Sequence, residues 1–369
     1  MSAAIITTVR HNIGDDFVRE GILYLLNNAG LDCAVEVIHK HSPVTVVRGL
    51  EFVRNLHVSH VLEPLTRAIG LSNRIDDAHV LIQSGAPIYW CHEGGPHCSD
   101  NEWFDPLIRQ RFLPNRRDRP FLNIAGGSCQ RYHSDGSELE LCSACMSYLR
   151  EFFDACDLTL LRDELARRML NLAGRDARVL PCTSIFARDQ LKMRSEPGEY
   201  IVLNFMENGG HYTFGQEIDA GSWRRLFVEL AGIVAKMGRV VIACHTPHEE
   251  ALARELVPSL DRFLIPNEHT EFMKFYSRAK WGVLNRVHGA FMMASFGRPA
   301  VVVGSDSRAR MIENLNLDAY FVGDISSAAL EGIAESARSR CNGYLEEIEE
   351  IRMSARLAYI DELKTALQL

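Results

Sequence analysis

Short apolar segments alternate with amphipathic helical patterns along almost the whole chain, and this alternation constrains the fold more than any other feature. Such alternation is typical of βαβ units, in which parallel strands are joined by helices. The polar stretch 188–199, which contains a Pro–Gly pair, separates two series of this kind. A polar segment with these residues is typical of a linker. We therefore predict an α/β protein with two Rossmann-like domains.

The predicted strands and helices give each domain its bounds. The strands cover 3–9, 34–38, 78–82, 120–125, 158–161 and 179–181 in the first series, and 200–204, 240–244, 262–265, 281–285 and 300–303 in the second. Two consecutive α/β domains place a cleft between their sheets, as in GT-B enzymes. The predicted domains are 1–190 and 199–343, and the helical pattern over 344–369 is expected to cross back over their interface.

Composition excludes several classes of function. The 369 residues carry a formal net charge of -8. An acidic chain is a poor match for a nucleic-acid groove. No apolar run approaches the roughly 20 residues that span a bilayer. The chain start lacks a basic region followed by an apolar one, so we expect no signal peptide and a cytoplasmic location.

Arg286 and His288 follow the strand at 281–285, and Arg308 follows the strand at 300–303. The carboxyl ends of parallel strands form the ligand-binding edge of an open α/β sheet. A helix predicted to begin near Gly289 would add an N-terminus that favours anions. Arginine grips carboxylate or phosphate, and histidine exchanges protons near neutral pH. The alternative is that both residues are structural, with a salt bridge for Arg286 and a helix cap for His288.

The run from Asn285 to Leu317 resembles the polysaccharide pyruvyl transferase family, whose signature is an Arg-x-His before a small-residue helix, then Gly-x-Pro and a strand. Three other segments agree in the same order. They are NIGDD at 12–16, HVLIQSGAPIYW at 79–90 and LTLLRDELARRML at 158–170. The resemblance implies a ketal-forming enzyme that transfers the enolpyruvyl group of phosphoenolpyruvate to a sugar hydroxyl, with a GT-B-like fold and no required cofactor.

The resemblance also implies roles for individual residues. His288 would be the acid, and Asp15 or Asp163 the base or the ligand of the acceptor hydroxyl. The residues expected to bind substrate are Arg286, Arg162, Arg308, Asn12, Gly14 and Gly85. For Asp163, an N-cap and salt-bridge role is an equally strong alternative.

Two other functions remain open at this stage. A GT-B glycosyltransferase that uses a nucleotide sugar would need carboxylates near the strand ends of the second domain, for which Asp306 and Glu313 are weak candidates. A non-catalytic metal or redox sensor could also use the same scaffold. Two further strand-end segments, 204–215 and 244–250, could face an anion, although Thr246–Pro247 there is typical of a helix start.

Two cysteine-bearing segments depart from the family pattern. The first contains Cys91, His92, His97 and Cys98, and the second contains Cys129, His133 and the CxxC pair Cys142 and Cys145. Two thiolates at CxxC spacing reach one ion, so the pattern is compatible with a zinc or iron–sulfur site. Cys129, Cys142 and Cys145 are the predicted ligands, with a fourth from Cys91, Cys98 or a histidine. Ordinary loop cysteines are the alternative.

Overall fold

The computed structural model describes residues 2–9, 12–31 and 33–369. It contains two parallel sheets. The strands of the first are β1 (Ser2–Thr7), β2 (Ala34–His39), β3 (Val80–Ser84), β4 (Pro87–Tyr89), β5 (Phe121–Ser128), β6 (Leu158–Leu161) and β7 (Arg178–Val179). The strands of the second are β8 (Tyr200–Leu203), β9 (Val240–Ala243), β10 (Asp261–Phe263), β11 (Ala279–Leu284), β12 (Ala300–Gly304) and β13 (Ala319–Phe321).

Helices cover both sheets. They are α1 (Ile13–Ala29), α2 (Leu56–Ala68), α3 (Ser143–Ala155), α4 (Glu164–Leu172), α5 (Ala187–Gln190), α6 (Ala220–Ala235), α7 (Pro247–Leu256), α8 (His269–Ser277), α9 (Val287–Ser295), α10 (Leu330–Ser339) and α11 (Tyr344–Leu367). A π-helical segment spans Phe104–Phe112, and the longest 3₁₀ segment spans Ser307–Leu315. None of the helices in the described ranges is long and apolar enough to cross a bilayer.

The order of strands in each sheet creates one binding crevice per domain. The first sheet runs β2-β1-β3-β5-β6-β7, with β4 paired beside β5, and the second runs β10-β9-β8-β11-β12-β13. In its own numbering the second sheet has the Rossmann order 3-2-1-4-5-6. Ligands bind such sheets where the direction of winding reverses. These switch points lie between β1 and β3 and between β8 and β11.

The two domains share a buried apolar layer. It contains residues of α1 and α9, the segment Thr183–Phe186, and Tyr359 and Leu363 of α11. The predicted return of the C-terminal helix is confirmed, because the Tyr359 hydroxyl donates to the carbonyl of Pro181 at 3.0 Å. The α/β prediction with two Rossmann-like domains is also confirmed. The exact domain bounds at 190 and 199 stay predictions.

One local prediction about the second domain is wrong. The helix after β11 begins at Val287, with Arg286 as its N-cap, rather than near Gly289. His288 therefore lies inside the first turn, so it is not the helix cap that the structural alternative assumed. Val287 and His288 precede Gly289 within the first turn, so the glycine does not mark the start of the helix.

Candidate functional site

The first turns of two helices meet between the domains. Asp15 lies in the first turn of α1, which follows β1, and His288 lies in the first turn of α9, which follows β11. A Cβ atom added to Gly14 would lie only 2.4 Å from Nδ1 of His288. The glycine thus allows a contact that no other residue would permit. The cleft between the two switch points is the candidate active site.

Asp15 is held in its ionised form. Burial acts to raise its pKa, but Lys40, followed by Thr8 and to a lesser extent His288 and Arg162, outweighs burial, so that the pKa of Asp15 lies below its ordinary value. Lys40 follows β2 and is itself buried. Burial lowers the pKa of Lys40, and the Asp15 carboxylate partly offsets this effect. Asp15 therefore enters the cleft as a carboxylate beside a lysine.

His288 is neutral in the free protein. Desolvation, followed by the nearby Arg162 guanidinium, lowers the pKa of His288 to about 3, although Asp15 acts in the opposite direction. The Sγ atom of Cys182 lies 3.8 Å from its Nε2 atom. A negative charge that enters the site favours the imidazolium form of such a histidine. The protonation state of His288 is therefore expected to depend on whether an anion is bound.

The guanidinium of Arg162 is buried and incompletely hydrogen-bonded. Arg162 follows β6 and is only 1% exposed. Within the part of the chain that the structure describes, its Nε and Nη1 atoms have no hydrogen-bond partner. A buried, unpaired guanidinium is costly, since burial removes the water that would solvate it. An anionic ligand would supply the missing partner.

Arg286 is partly neutralised by an acid that the sequence did not single out. Its Nε donates to Oε1 of Glu249 at 3.1 Å, and its Nη2 also pairs with this carboxylate. Its Nη1 donates to Nε2 of His211 at 2.5 Å. Desolvation, and then the Arg286 guanidinium, lower the pKa of His211 to about 3, so this ring accepts as a neutral base. Arg286 therefore makes the salt bridge that the structural alternative expected and also contacts His211, while its role in substrate binding stays a prediction.

Arg308 is also paired. Its Nε and Nη2 donate to the two oxygens of Asp306 at 2.8 and 2.7 Å. Its guanidinium lies 5.2 Å from the centre of the Tyr212 ring. Asp306 is thus committed to Arg308. This arrangement removes the better of the two carboxylates that a nucleotide-sugar mechanism would use to hold a ribose.

Three predicted site residues make structural contacts. The Asp163 carboxylate accepts from the backbone of Ser128 at 2.9 Å and from Ala166 N at 2.7 Å, so it caps α4. Asn12 caps α1 by accepting from Gly14 N at 3.1 Å. A Cβ on Gly85 would lie 2.5 Å from the carbonyl oxygen of Ala125, which makes Gly85 a packing position. We assign these three residues to positioning and keep Asp15 as the candidate base.

The predicted metal ligands are only partly brought together. Cys142 and Cys145 lie with Cys91 and His97 in one cluster. Cys129 does not belong to this cluster. It is buried near the cleft, and burial raises the pKa of its thiol. Arg308 acts to lower this pKa and Asp306 to raise it. The sequence could not separate these cysteines because their convergence depends on how distant loops pack.

Sequence reasoning missed three residues of the cleft, namely Lys40, His211 and Glu249. A signal existed for Lys40, which lies two residues after the predicted second strand and thus near the kind of strand-end position that identified Arg286. Glu249 lies in the first turn of α7. Thr246–Pro247 in the same segment predicts a helix start, so the segment gave no separate signal for a site residue. His211 had no signal beyond its place in a glycine-containing loop.

The comparison with protein families shows to which family the chain belongs. The model described as polysaccharide pyruvyl transferase matches residues 12–307, which include both helix starts of the cleft. The chain belongs to the polysaccharide pyruvyl transferase family. The family resemblance identified from the sequence motifs is therefore confirmed. No curated protein matches the chain significantly.

Solved structures outside this pyruvyl transferase family share its fold. MnaA of S. aureus, solved with UDP, has a TM-score of 0.55 at 12% identity and covers 100% of this chain and 97% of its own. The UDP-GlcNAc 2-epimerase of Methanocaldococcus jannaschii, solved with UDP-GlcNAc and UDP, has a TM-score of 0.53 at 12% identity, with 96% and 99% covered. Identity this low shows the fold alone.

Proposed function

We propose that the protein transfers the enolpyruvyl group of phosphoenolpyruvate to a saccharide hydroxyl, with release of phosphate and formation of a pyruvyl ketal. The observation that carries the proposal is the buried guanidinium of Arg162, whose donor nitrogens Nε and Nη1 have no hydrogen-bond partner among the residues that the structure describes. It acts electrostatically on both Asp15 and His288. Family membership supports the reaction class.

The charges of the cleft favour a small, multiply charged anion. Four cations and three carboxylates influence one another there. The cations are Lys40, Arg162, Arg286 and Arg308, and the carboxylates are Asp15, Glu249 and Asp306. Phosphoenolpyruvate has a carboxylate and a phosphate, and guanidinium groups bind both. Because Arg162 is closed off from solvent in this conformation, binding is expected to require a small separation of the domains.

The chemistry starts with a proton. His288, protonated once the anion is bound, gives its proton to the methylene carbon of phosphoenolpyruvate, which becomes a methyl group. Positive charge develops at C2. A saccharide hydroxyl adds to C2 while Asp15 accepts its proton. A second hydroxyl of the saccharide then displaces phosphate from C2, and its proton leaves with the phosphate. The product is a cyclic ketal.

The charge states of the two residues suit these roles. The lowered pKa of Asp15 keeps it ionised and able to accept a proton from the attacking hydroxyl. A weak base suffices, since the cationic character of C2 makes the bound hydroxyl more acidic. The low pKa of His288 in the free protein rises when the anion binds, because the negative charge favours the imidazolium. The acid is therefore formed only when substrate is present.

The function is tested first on the unaltered protein. We expect phosphoenolpyruvate to raise the melting temperature, by linkage, more than UDP or a UDP-sugar does at equal concentration. With a panel of saccharides, phosphate release should require an acceptor, and the product mass should show one pyruvyl group added. Stabilisation by UDP-sugars alone would favour the glycosyltransferase instead. No response to either ligand would favour a non-catalytic protein.

Close contact between α1 and α9 leads to a second expectation. Gly14→Ala would place a methyl group against His288. A displacement of about 1 Å at a reacting group costs about 10²-fold in rate, and we expect a loss of that size in kcat. The matched control is Gly232→Ala in α6, where an added Cβ meets nothing within 4 Å. It should retain kcat and gain up to about 1 kcal/mol in stability. Equal kcat in both variants would contradict the assignment of His288.

A further inference from the structure

Four side chains with metal-binding atoms converge outside the cleft. Cys91 and His97 face each other across an antiparallel bridge in the hairpin that follows β4. Cys142 and Cys145 lie at the start of α3. The three sulfur atoms and one ring nitrogen of this cluster all lie within 4.8 Å of one another. Segments 45 residues or more apart in sequence thus present their ligands to one point.

The spacing within the cluster matches a tetrahedral ion. Nδ1 of His97 lies 3.6 Å from Sγ of Cys91 and 3.8 Å from Sγ of Cys142. Tetrahedral zinc, with Zn–S near 2.3 Å and Zn–N near 2.0–2.1 Å, separates a sulfur and a nitrogen ligand by about 3.6 Å. All three cysteines are free thiols. The observed separations therefore leave room for one ion at the centre.

Local structure prepares both pairs of ligands. The hairpin turns tightly at Gly94 and Gly95, whose φ angles of 74° and 86° are easily adopted only by glycine. This turn brings Cys91 opposite His97. Cys142 is the N-cap of α3, and its Sγ atom accepts from Cys145 N at 3.5 Å. A helix N-terminus stabilises a thiolate, which is the form that binds metal.

We infer that Cys91, His97, Cys142 and Cys145 bind one zinc ion, which fastens the 91–98 hairpin to the start of α3. Three thiolates and one imidazole are a common set for structural zinc. All four positions are supplied by the protein, so the site is structural rather than catalytic. Iron–sulfur clusters usually require four cysteines, which this group lacks. The ligand set contains Cys142 and Cys145 as predicted from sequence, and it contains both Cys91 and a histidine from the predicted choices for the fourth ligand, whereas the predicted Cys129 is not part of it.

The zinc site is connected to the cleft through its hairpin. The ring of His92 stacks on Phe214 of the second domain at 3.8 Å between centres. The Gln130 side chain accepts from Cys91 N at 3.0 Å and donates to its carbonyl at 2.9 Å, while Gln130 N donates to Ser307 Oγ at 3.0 Å. Ser307 precedes Arg308. The ion therefore stabilises the part of the first domain that contacts the Arg308 segment.

Metal analysis of the full chain tests this inference without any turnover assay. Protein produced with zinc present should contain about one zinc per chain, and cobalt substitution should give the visible absorption of a tetrahedral thiolate site. Cys142→Ser and Cys91→Ser should each lose at least tenfold in zinc affinity. Cys129→Ser, a buried cysteine outside the cluster, and Cys341→Ser, an exposed one, should retain the metal.

Several results would overturn the inference. They are zinc well below one per chain after reconstitution, zinc retained by Cys142→Ser, or zinc lost from Cys129→Ser. A thiol titration of the denatured protein that finds a disulfide would do the same, as would bound iron with inorganic sulfide. If Cys142→Ser does not fold, a thiol reagent should release zinc from the unaltered protein as the cluster is modified. Unchanged zinc after that modification would exclude the site.

Discussion

Arg162→Met is expected to abolish most activity while leaving the protein as stable as before, or more stable. Loss of one preorganised donor costs about 10²–10³-fold in rate, and Arg162 offers two unpartnered donors as well as its charge. We therefore expect kcat/KM for phosphoenolpyruvate to fall by about 10³-fold or more. Methionine removes a buried guanidinium whose loss of solvation is only partly offset by hydrogen bonds, so the free energy of unfolding should not fall.

The matched control for this prediction is Arg111→Met. Arg111 is similarly buried, but its Nε donates to Glu63 at 3.1 Å and its Nη2 to Thr66 at 3.0 Å. Breaking this buried pair should cost about 3–5 kcal/mol, since Glu63 is left without its partner. Folded Arg111→Met protein should retain kcat/KM. Chemical unfolding with steady-state kinetics on both variants makes the comparison. The prediction fails if Arg162→Met loses several kcal/mol of stability and keeps its kcat/KM.

His288→Gln should lower kcat by about 10²–10⁴-fold, the usual contribution of a positioned acid, with a smaller change in the affinity for phosphoenolpyruvate. The more specific readout is proton uptake. In the free protein His288 is neutral at pH 7, because its pKa is about 3. Binding of the anion raises this pKa, so the unaltered protein should take up close to one proton per phosphoenolpyruvate bound. His288→Gln should not.

Calorimetric titrations in buffers with different ionisation enthalpies measure this proton. The exposed His57 provides the control, because His57→Gln should change neither kcat nor proton uptake. The neighbouring His211 provides the competing explanation, since its pKa in the free protein is also about 3. Proton uptake that persists in His288→Gln and disappears in His211→Gln would assign the acid to His211.

Much of the fold could be predicted because its signals are local. The strands at Leu158–Leu161 and Ala300–Gly304 are short apolar runs bounded by polar residues, and α4 and α11 have clear helical periodicity. The π-helical segment at Phe104–Phe112 had no comparable signal. Its residues Phe104 and Phe112 are buried in the core of the first domain, and such burial is a property of tertiary packing.

For the candidate site, the sequence predicted where residues lie relative to the strand ends but not their charge states. Arg286 and His288 could be placed at a strand end, where open α/β sheets bind ligands. Their charge states could not, because these depend on neighbours distant in sequence. Glu249, which neutralises Arg286, lies 37 residues away, and Arg162, which lowers the pKa of His288, comes from the other domain.

The sequence by itself determined the α/β class, the two-domain organisation and the family, because strand and helix patterns and the Arg-x-His motif are read over short stretches of chain. The tertiary structure decided which cations are available to a ligand. It paired Arg286 and Arg308 with carboxylates and left two nitrogens of the buried Arg162 without a hydrogen-bond partner among the described residues. It also placed Cys91 and His97, but not Cys129, with the CxxC pair in the metal cluster. Both outcomes depend on distances between chain segments that only folding brings together.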